Sequence, residues 1–268
     1  MVVAAGAYFF VHNYPSTSKF LSESERDAVQ QRLKDDSDAT EDEGFNWKNV
    51  AKAFTDIKCY LYALGFHTLS LPLYTLSLFL PTIIKSLGYT SAQAQLMTIP
   101  PYAIATILTV LLALLSQKLG RRAPLILGSS SVAILGYILL LSDPRPGVSY
   151  LGTIFAAAGI YPSVALTLAW PANNVSGQMK RAIANALQIS IGNCGAVIGT
   201  QLYRTETAPR YFLGHSFALA YLVANLVVTL TLWFVLNREN KKKEASDQSV
   251  DAEGPWQGDQ DPRWRFLL

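Results

Sequence analysis

Long apolar runs separated by short polar segments dominate the sequence from about residue 58 onward. A helix of about 20 residues crosses the roughly 30 Å hydrocarbon core of a bilayer, and six of these runs approach or exceed that length. The runs lie at about 58–84, 96–116, 123–142, 149–170, 181–203 and 213–236. The pattern predicts an all-α membrane protein whose main body, residues 58–237, is a bundle of six transmembrane helices.

The run at 181–203 is the least apolar, so five spans is the conservative count. It carries the amides Asn185, Gln188, Asn193 and Gln201. Such a span is stable in a bilayer only where its polar side faces protein or a water-filled path. We therefore expect this helix to turn its amides away from lipid.

The segments outside the six runs predict three further regions. Residues 1–12 are apolar but reach only about half of the bilayer core, so we interpret them as the end of a helix; a signal peptide is the alternative, although its basic region and cleavage site are not clear. Residues 13–57 form a polar loop in which Ser22 and Glu25 predict a helix with a capping box. Residues 238–268 predict a disordered tail.

The distribution of basic residues gives an orientation. Charged residues make up 15% of the chain, against about a quarter in soluble domains. If 13–57 is cytoplasmic and the six spans alternate, only Lys85, Arg145, Arg204 and Arg210 of the 22 basic residues lie outside. This matches the positive-inside rule and predicts a cytoplasmic loop and C-terminus. The small net charge of +3 gives no indication of a nucleic-acid partner, and the lipid bilayer is the expected surrounding.

The sequence argues against an enzyme. It has no catalytic or nucleotide-binding motif, its three histidines are far apart, and no Asp or Glu lies within a predicted span. The two cysteines, Cys59 and Cys194, make no metal pattern. We therefore predict no catalytic residue, metal or cofactor.

The loop after the second run reads SQKLGRRAP, with Gly120 at a turn before Arg121 and Arg122. It resembles the loop between the second and third helices of each half of the major facilitator superfamily. In that family the loop is a conformational latch, built from charges and a turn. A plain basic loop with a turn glycine is the alternative interpretation.

Two further segments resemble a narrower group. FLSESERDAVQQRL, and the stretch from WPANNVSGQMKRAIANA to APRYFLGHSF, are similar to fungal anion:cation symporters of the allantoate and nicotinate permease type. The most particular residues are Asn173, Asn174, Gly177 and Arg181, which the resemblance assigns to the same latch region. The similarity extends to about residue 238.

The resemblance implies a twelve-helix transporter of which this chain is the C-terminal half. Residues 1–12 are then the end of helix six, and 13–57 is the central cytoplasmic loop. The implied partners are a small organic anion such as a vitamin or allantoate-like compound, protons, and the missing N-terminal half. The implied location is the plasma membrane. A truncated fragment that does not transport, or that regulates, is the alternative.

Polar side chains within the spans are the candidates for binding substrate, because transporters of this kind hold the solute near the bilayer midplane. They are Tyr62, His67, Tyr74, Tyr161, Gln188 and Asn193. His67 is a candidate proton site or carboxylate partner. Each has a structural alternative, since tyrosine and histidine often pack inside helix bundles and amides often join helices.

Overall fold

The structure is a computed structural model that describes residues 6–7, 18, 20–36, 46–142, 145–208, 210–247 and 258–268. The end of a preceding helix predicted at 1–12 lies outside the described residues except for 6–7. The predicted capping box is confirmed. The Ser22 amide donates to Glu25 Oε2 at 3.0 Å, and the Glu25 amide donates to Ser22 Oγ at 3.4 Å.

The described part of the chain is helical apart from its connecting segments and residues 261–268. Its α-helices are α1 Glu23–Asp36, α2 Trp47–Thr55, α3 Ile57–Ser86, α4 Ser91–Leu96, α5 Ile99–Leu119, α6 Ala123–Ser142, α7 Pro146–Asn174, α8 Gln178–Gly199 and α9 Phe212–Asp247. Short 3₁₀ turns lie at Thr205–Thr207 and Gly258–Gln260. The six apolar runs correspond to α3, to α4 with α5, and to α6, α7, α8 and α9. The predicted all-α fold is confirmed.

Two pairs of helices form the centre of the bundle. Helix α7 packs along α6 and also contacts α5, while α3 packs along α8 and also contacts α9 and α7. Helix α9 lies against α6 and α3. The fold therefore brings α3, α7 and α8, which carry all six candidate polar positions, into direct contact.

Small residues allow both central pairs to approach closely. A Cβ atom at Gly159 of α7 would lie 2.3 Å from the Ser129 carbonyl oxygen of α6, and one at Gly136 would lie 2.4 Å from the Ala156 nitrogen. Between α3 and α8, a Cβ atom at Gly195 would lie 2.4 Å from Ser70 Oγ. Larger residues at these three positions would separate the helices, as expected for packing in membranes.

The outer surface is apolar along most of its length. Ile107, Val110, Leu111 and Leu114 of α5 are all more than half exposed. Large exposed apolar surface is unfavourable in water but suits contact with lipid tails. With six helices of spanning length, the chain is an integral membrane protein.

The last part of the chain differs from the predicted disordered tail. Helix α9 continues past residue 238 to Asp247, and residues 258–268 pack against the bundle with Phe266 buried. The prediction rested on the average polarity of 238–268. It missed that aromatic residues in this segment find an apolar site between helix ends that are distant in sequence.

Candidate functional site

One face of α3 presents polar side chains outside the packed core. His67, Tyr74 and Ser77 follow at spacings of seven and three residues, which places them on one side of a helix. His67 is half-buried, whereas Tyr74 is 36% exposed and Ser77 is exposed. This side of α3 therefore carries hydrogen-bonding groups that the described part of the chain leaves at least partly exposed.

Neighbouring helices complete this surface. Tyr74 Oη of α3 donates to Asn193 Oδ1 of α8 at 3.2 Å. Ser77 Oγ and Tyr161 Oη of α7 share a hydrogen bond of 2.8 Å. The Tyr161 ring meets Tyr102 of α5 edge to face, with 5.7 Å between ring centroids. We call the set His67, Tyr74, Ser77, Tyr102, Tyr161 and Asn193 the polar face.

His67 is held at the α3–α8 contact. Its Nδ1 lies 3.1 Å from the Ile191 carbonyl oxygen, so Nδ1 is the donor of this hydrogen bond. In the neutral ring, Nε2 is then the hydrogen-bond acceptor. The ring also lies 5.7 Å from that of Tyr221 in α9. The arrangement fixes the ring without burying it completely.

Two of the six candidate side chains lie inside the bundle instead. Tyr62 and Gln188 are each 1% exposed. Gln188 Nε2 donates to the Thr167 carbonyl oxygen at 2.9 Å, and Tyr62 Oη accepts from Asn174 Nδ2 at 3.0 Å. In this conformation both join helices, so the polar face contains four of the six candidates.

Sequence analysis missed two members of the polar face. Ser77 lies three residues after Tyr74, so helical spacing alone was a usable signal for it. Tyr102 gave a weaker signal, because its run at 96–116 is almost wholly apolar and its neighbours are exposed to lipid. Its position became clear only from its contact with Tyr161.

The predicted latch residues meet at one end of the bundle. Gly120 ends α5 in the left-handed region at φ 61°, which lets the chain turn within three residues into α6. Arg122 Nη2 donates to Asn173 Oδ1 at 3.2 Å. Desolvation by burial lowers the pKa of Arg122. Arg121 is exposed, and its carbonyl oxygen accepts from Ser116 at 3.4 Å.

The other latch residues shape the turn between α7 and α8. Gly177 precedes α8 with φ 82°, a conformation that favours glycine. Arg181 Nε donates to the Val175 carbonyl oxygen at 2.9 Å, which closes the turn. Asn174 is buried and points the other way, toward Tyr62. The structure thus brings both motifs to one end, with Arg122 and Asn173 as their direct contact.

Five charged residues cluster at this same end; we call them the charged cluster. Lys180 Nζ donates to Asp56 Oδ2 at 2.8 Å and to Asp259 Oδ2 at 2.6 Å. Lys58 Nζ lies 3.5 Å from Asp56 Oδ1 and 3.1 Å from Glu239 Oε2. Burial alone would raise the pKa of Asp56, but the hydrogen bond from Lys180 and the charges of Lys58 and Lys180 hold this pKa below its usual value.

The six spanning helices, the apolar outer surface and the polar face between α3, α5, α7 and α8 define a class: helical bundle membrane proteins with hydrogen-bonding side chains between their spans. Residues 62–268 match the family profile described as Major Facilitator Superfamily. The chain belongs to that superfamily, which confirms the resemblance and the prediction of a non-enzymatic protein.

Its relatives are fungal transporters. An uncharacterised transporter of Schizosaccharomyces pombe is 32% identical over 271 residues, covering all of this chain and 54% of that protein. The high-affinity nicotinic acid transporter of Saccharomyces cerevisiae is 32% identical over 228 residues, or 85% of this chain and 43% of that protein. An MFS-type transporter of Penicillium expansum is 33% identical over 275 residues, or 97% and 53%.

The chain spans about half the length of the curated relatives it matches, in keeping with a C-terminal half. No solved structure matches it.

Proposed function

We propose that this chain is the C-terminal half of a secondary active transporter for a small organic anion, coupled to protons. The polar face carries the proposal. It gathers hydroxyl, amide and imidazole groups from four helices on a side of the bundle that the described residues leave partly exposed. A polar solute crossing a bilayer needs such groups to replace its lost hydration.

The groups on this face suit a small carboxylate. Tyrosine and serine hydroxyls and the asparagine amide donate hydrogen bonds to carboxylate oxygens, and the tyrosine rings stack against flat apolar parts. His67 supplies the side chain type that most readily gains a proton near neutral pH, so we assign it to proton coupling or to the substrate carboxylate. The name of the budding-yeast relative, a nicotinic acid transporter, supports an aromatic carboxylate as the first substrate to try.

The partner in this proposal is a second six-helix half. In transporters built from two halves, the solute site lies between them and the halves rock against each other. The polar face of this chain would form one wall of that site. The contact between Arg122 and Asn173 would then belong to the end of the bundle where the latch opens and closes.

A chimera tests the proposal. The chain replaces the C-terminal half of the budding-yeast nicotinic acid transporter in cells lacking that activity, and uptake of labelled nicotinate is measured with and without an inward proton gradient. We expect gradient-dependent uptake that His67→Ala abolishes. Ser131→Ala, an exposed residue of α6 whose hydroxyl donates to the Leu127 carbonyl oxygen of its own helix, is the control and should transport normally.

A chimera that is monodisperse in detergent and present at the cell surface, yet moves no nicotinate or related carboxylate, would contradict the proposal. It would favour the second candidate, a fragment that does not transport. The half-length match to its relatives is the observation behind that candidate. Uptake by the chain expressed alone is a second measurement. We expect none under the proposal, because the polar face would form only one wall of the solute site, so the chimera is the decisive assay.

Location and orientation are parts of the same proposal. We place the protein in the plasma membrane with residues 13–57 and the last segment in the cytoplasm, because basic residues concentrate in the segments on that side. Epitope tags inserted at residues 90 and 145 should be accessible from outside intact cells, and a tag after residue 268 only after permeabilisation. Tags that all report one side would exclude this orientation.

A further inference from the structure

Residues 258–268, which we call the terminal segment, lie at the end of the bundle that carries the charged cluster; we call this end the charged end. Side chains of the helices hold the segment there through hydrogen bonds to its backbone. Asn174 Nδ2 donates to the Leu267 carbonyl oxygen at 2.9 Å, and the Leu267 amide donates to Asn174 Oδ1 at 2.7 Å. Asn240 does the same one residue earlier. Its Nδ2 donates to the Phe266 carbonyl oxygen at 2.8 Å, and the Phe266 amide donates to Asn240 Oδ1 at 2.8 Å.

This pattern is that of a β-ladder made by side chains. In an extended peptide, the backbone groups of consecutive residues point to opposite edges. Asn174 ends α7 and Asn240 lies in α9, so the two amides meet the peptide from two sides. Each pairs with both the N–H and the C=O of one residue, which requires the peptide to be extended and in one register.

Further contacts fix the same peptide. The indole Nε1 of Trp170 donates to the Leu267 carbonyl oxygen at 2.9 Å, and the Arg122 amide donates to the Leu268 carbonyl oxygen. The Phe266 ring is buried, with Lys58 Nζ 5.1 Å and Lys243 Nζ 4.5 Å from its centroid. Peptide-binding sites combine side chains that hydrogen-bond to the peptide backbone with pockets that bury individual side chains, and this site has both features.

The terminal segment also connects helices that otherwise touch little. Helix α9 packs on α3 and α6, whereas α7 packs mainly on α6 and α5, and direct contacts of α9 with α7 or α8 are few. The segment reaches Asn174 at the end of α7, Asn240 in α9 and, through Asp259, Lys180 in α8. Its docking therefore ties together three helix ends beside the latch residues.

We propose that this end of the bundle is a binding site for an extended peptide, that the terminal segment is its occupant with residues 264–268 extended, and that its reversible docking holds α7, α8 and α9 together. The two asparagines recognise the backbone, and the site for Phe266 selects an aromatic side chain. The inference does not depend on transport, since it concerns how the chain binds its own segment.

Amide hydrogen exchange of the full chain in detergent micelles tests it, read at the Phe266 and Leu267 amides by mass spectrometry with fragmentation. Both should exchange at least tenfold more slowly than in a free peptide of residues 258–268. Each asparagine supplies one acceptor and one donor to the segment, so Asn174→Ala or Asn240→Ala should accelerate exchange by roughly thirtyfold. Gln201→Ala changes an exposed amide just after α8, at the end of that helix opposite Lys180, and should leave both rates unchanged.

A second pair of variants keeps the test independent of helix folding, because it changes only the terminal segment. Leu267→Pro removes the backbone N–H that donates to Asn174 Oδ1, and it should therefore speed exchange of the Phe266 amide. Leu267→Ala keeps that amide and should not. Exchange in α3 and α6 reports that the bundle stays folded. Free-peptide rates in the unmodified chain, or equal protection in the Leu267→Pro and Leu267→Ala chains, would overturn the proposal.

Discussion

The charged end of the bundle and the polar face use similar polar side chains in opposite ways. At the charged end, Lys180 is 8% exposed and contacts two carboxylates, and Asn174 uses both amide atoms on protein partners. On the polar face, Tyr74 makes a single side-chain hydrogen bond and keeps 36% of its surface exposed. Groups whose bonding capacity is used within the chain serve its stability, whereas partly bonded, exposed groups remain available to a ligand.

The difference predicts that the charged end carries more stability than the polar face. The largest effect should come from Lys180→Met, which removes the cation shared by the half-buried Asp56 and the buried Asp259. Breaking a buried pair by removing one partner costs about 3 kcal/mol or more. Unfolding in mixed micelles of increasing SDS content measures this loss, with the exposed Lys118→Met as control. A loss below about 1 kcal/mol would mean that water solvates the cluster well.

Two amides on α8 give a sharper comparison. Gln188→Leu removes the buried hydrogen bond to the Thr167 carbonyl oxygen and should cost about 1 kcal/mol, in the range measured for hydrogen bonds between membrane helices. Asn193→Leu, on the polar face, should change the unfolding free energy by less than about 0.5 kcal/mol. The same SDS titration measures both variants. Equal losses would remove the distinction between the two regions.

Sequence alone predicted the helices well, because apolar length in a bilayer leaves few other structures. It could not separate Tyr62 from Tyr74, which lie on the same helix. Residue type shows that a side chain can donate a hydrogen bond, but its partner decides whether it is available. Tyr62 faces Asn174, and Tyr74 faces the open side of α8.

The terminal segment shows the same limit. Trp264 and Phe266 lie within a polar stretch, so averaged composition predicted disorder. The asparagines that fix the segment belong to α7 and α9, and only Asn174 fell within a motif noted from sequence. Partners that are 26 and 93 residues away in sequence leave no local pattern.

The charged end should also respond to pH in a defined direction. Contacts with Lys180 and Lys58 hold the pKa of Asp56 below its usual value of 3.8. The stabilisation is therefore complete above pH 3.8 and is lost as the pH falls through the lower pKa of the folded state. The unfolding free energy of the unmodified chain relative to Asp56→Asn should be constant near neutral pH and shrink below pH 4.

Asparagine at position 56 is a suitable reference because it retains the helix cap to the Lys58 amide, 3.0 Å long, while losing the charge. A difference between the two chains that grows toward acid would contradict the assigned direction. Polar-face variants such as Asn193→Leu should leave this pH profile unchanged, since they lie apart from the charged cluster.

The smallest effect on stability should come from Tyr74→Phe. The change removes one hydroxyl whose bond to Asn193 is 3.2 Å long and lies at an exposed position, so the unfolding free energy should change by less than about 0.5 kcal/mol. Tyr62→Phe is the matched change on the same helix. It removes one of the two acceptors of the buried Asn174 amide, leaving only the Leu267 carbonyl oxygen, and should cost about 1 kcal/mol. In the chimera, Tyr74→Phe should raise the KM for nicotinate with surface expression unchanged, because the exposed hydroxyl lies on the face proposed to bind the solute. If Tyr74→Phe destabilised the bundle as much as Tyr62→Phe and left the KM unaltered, the exposed tyrosine would be a packing residue. That result would contradict the proposal that the polar face binds substrate.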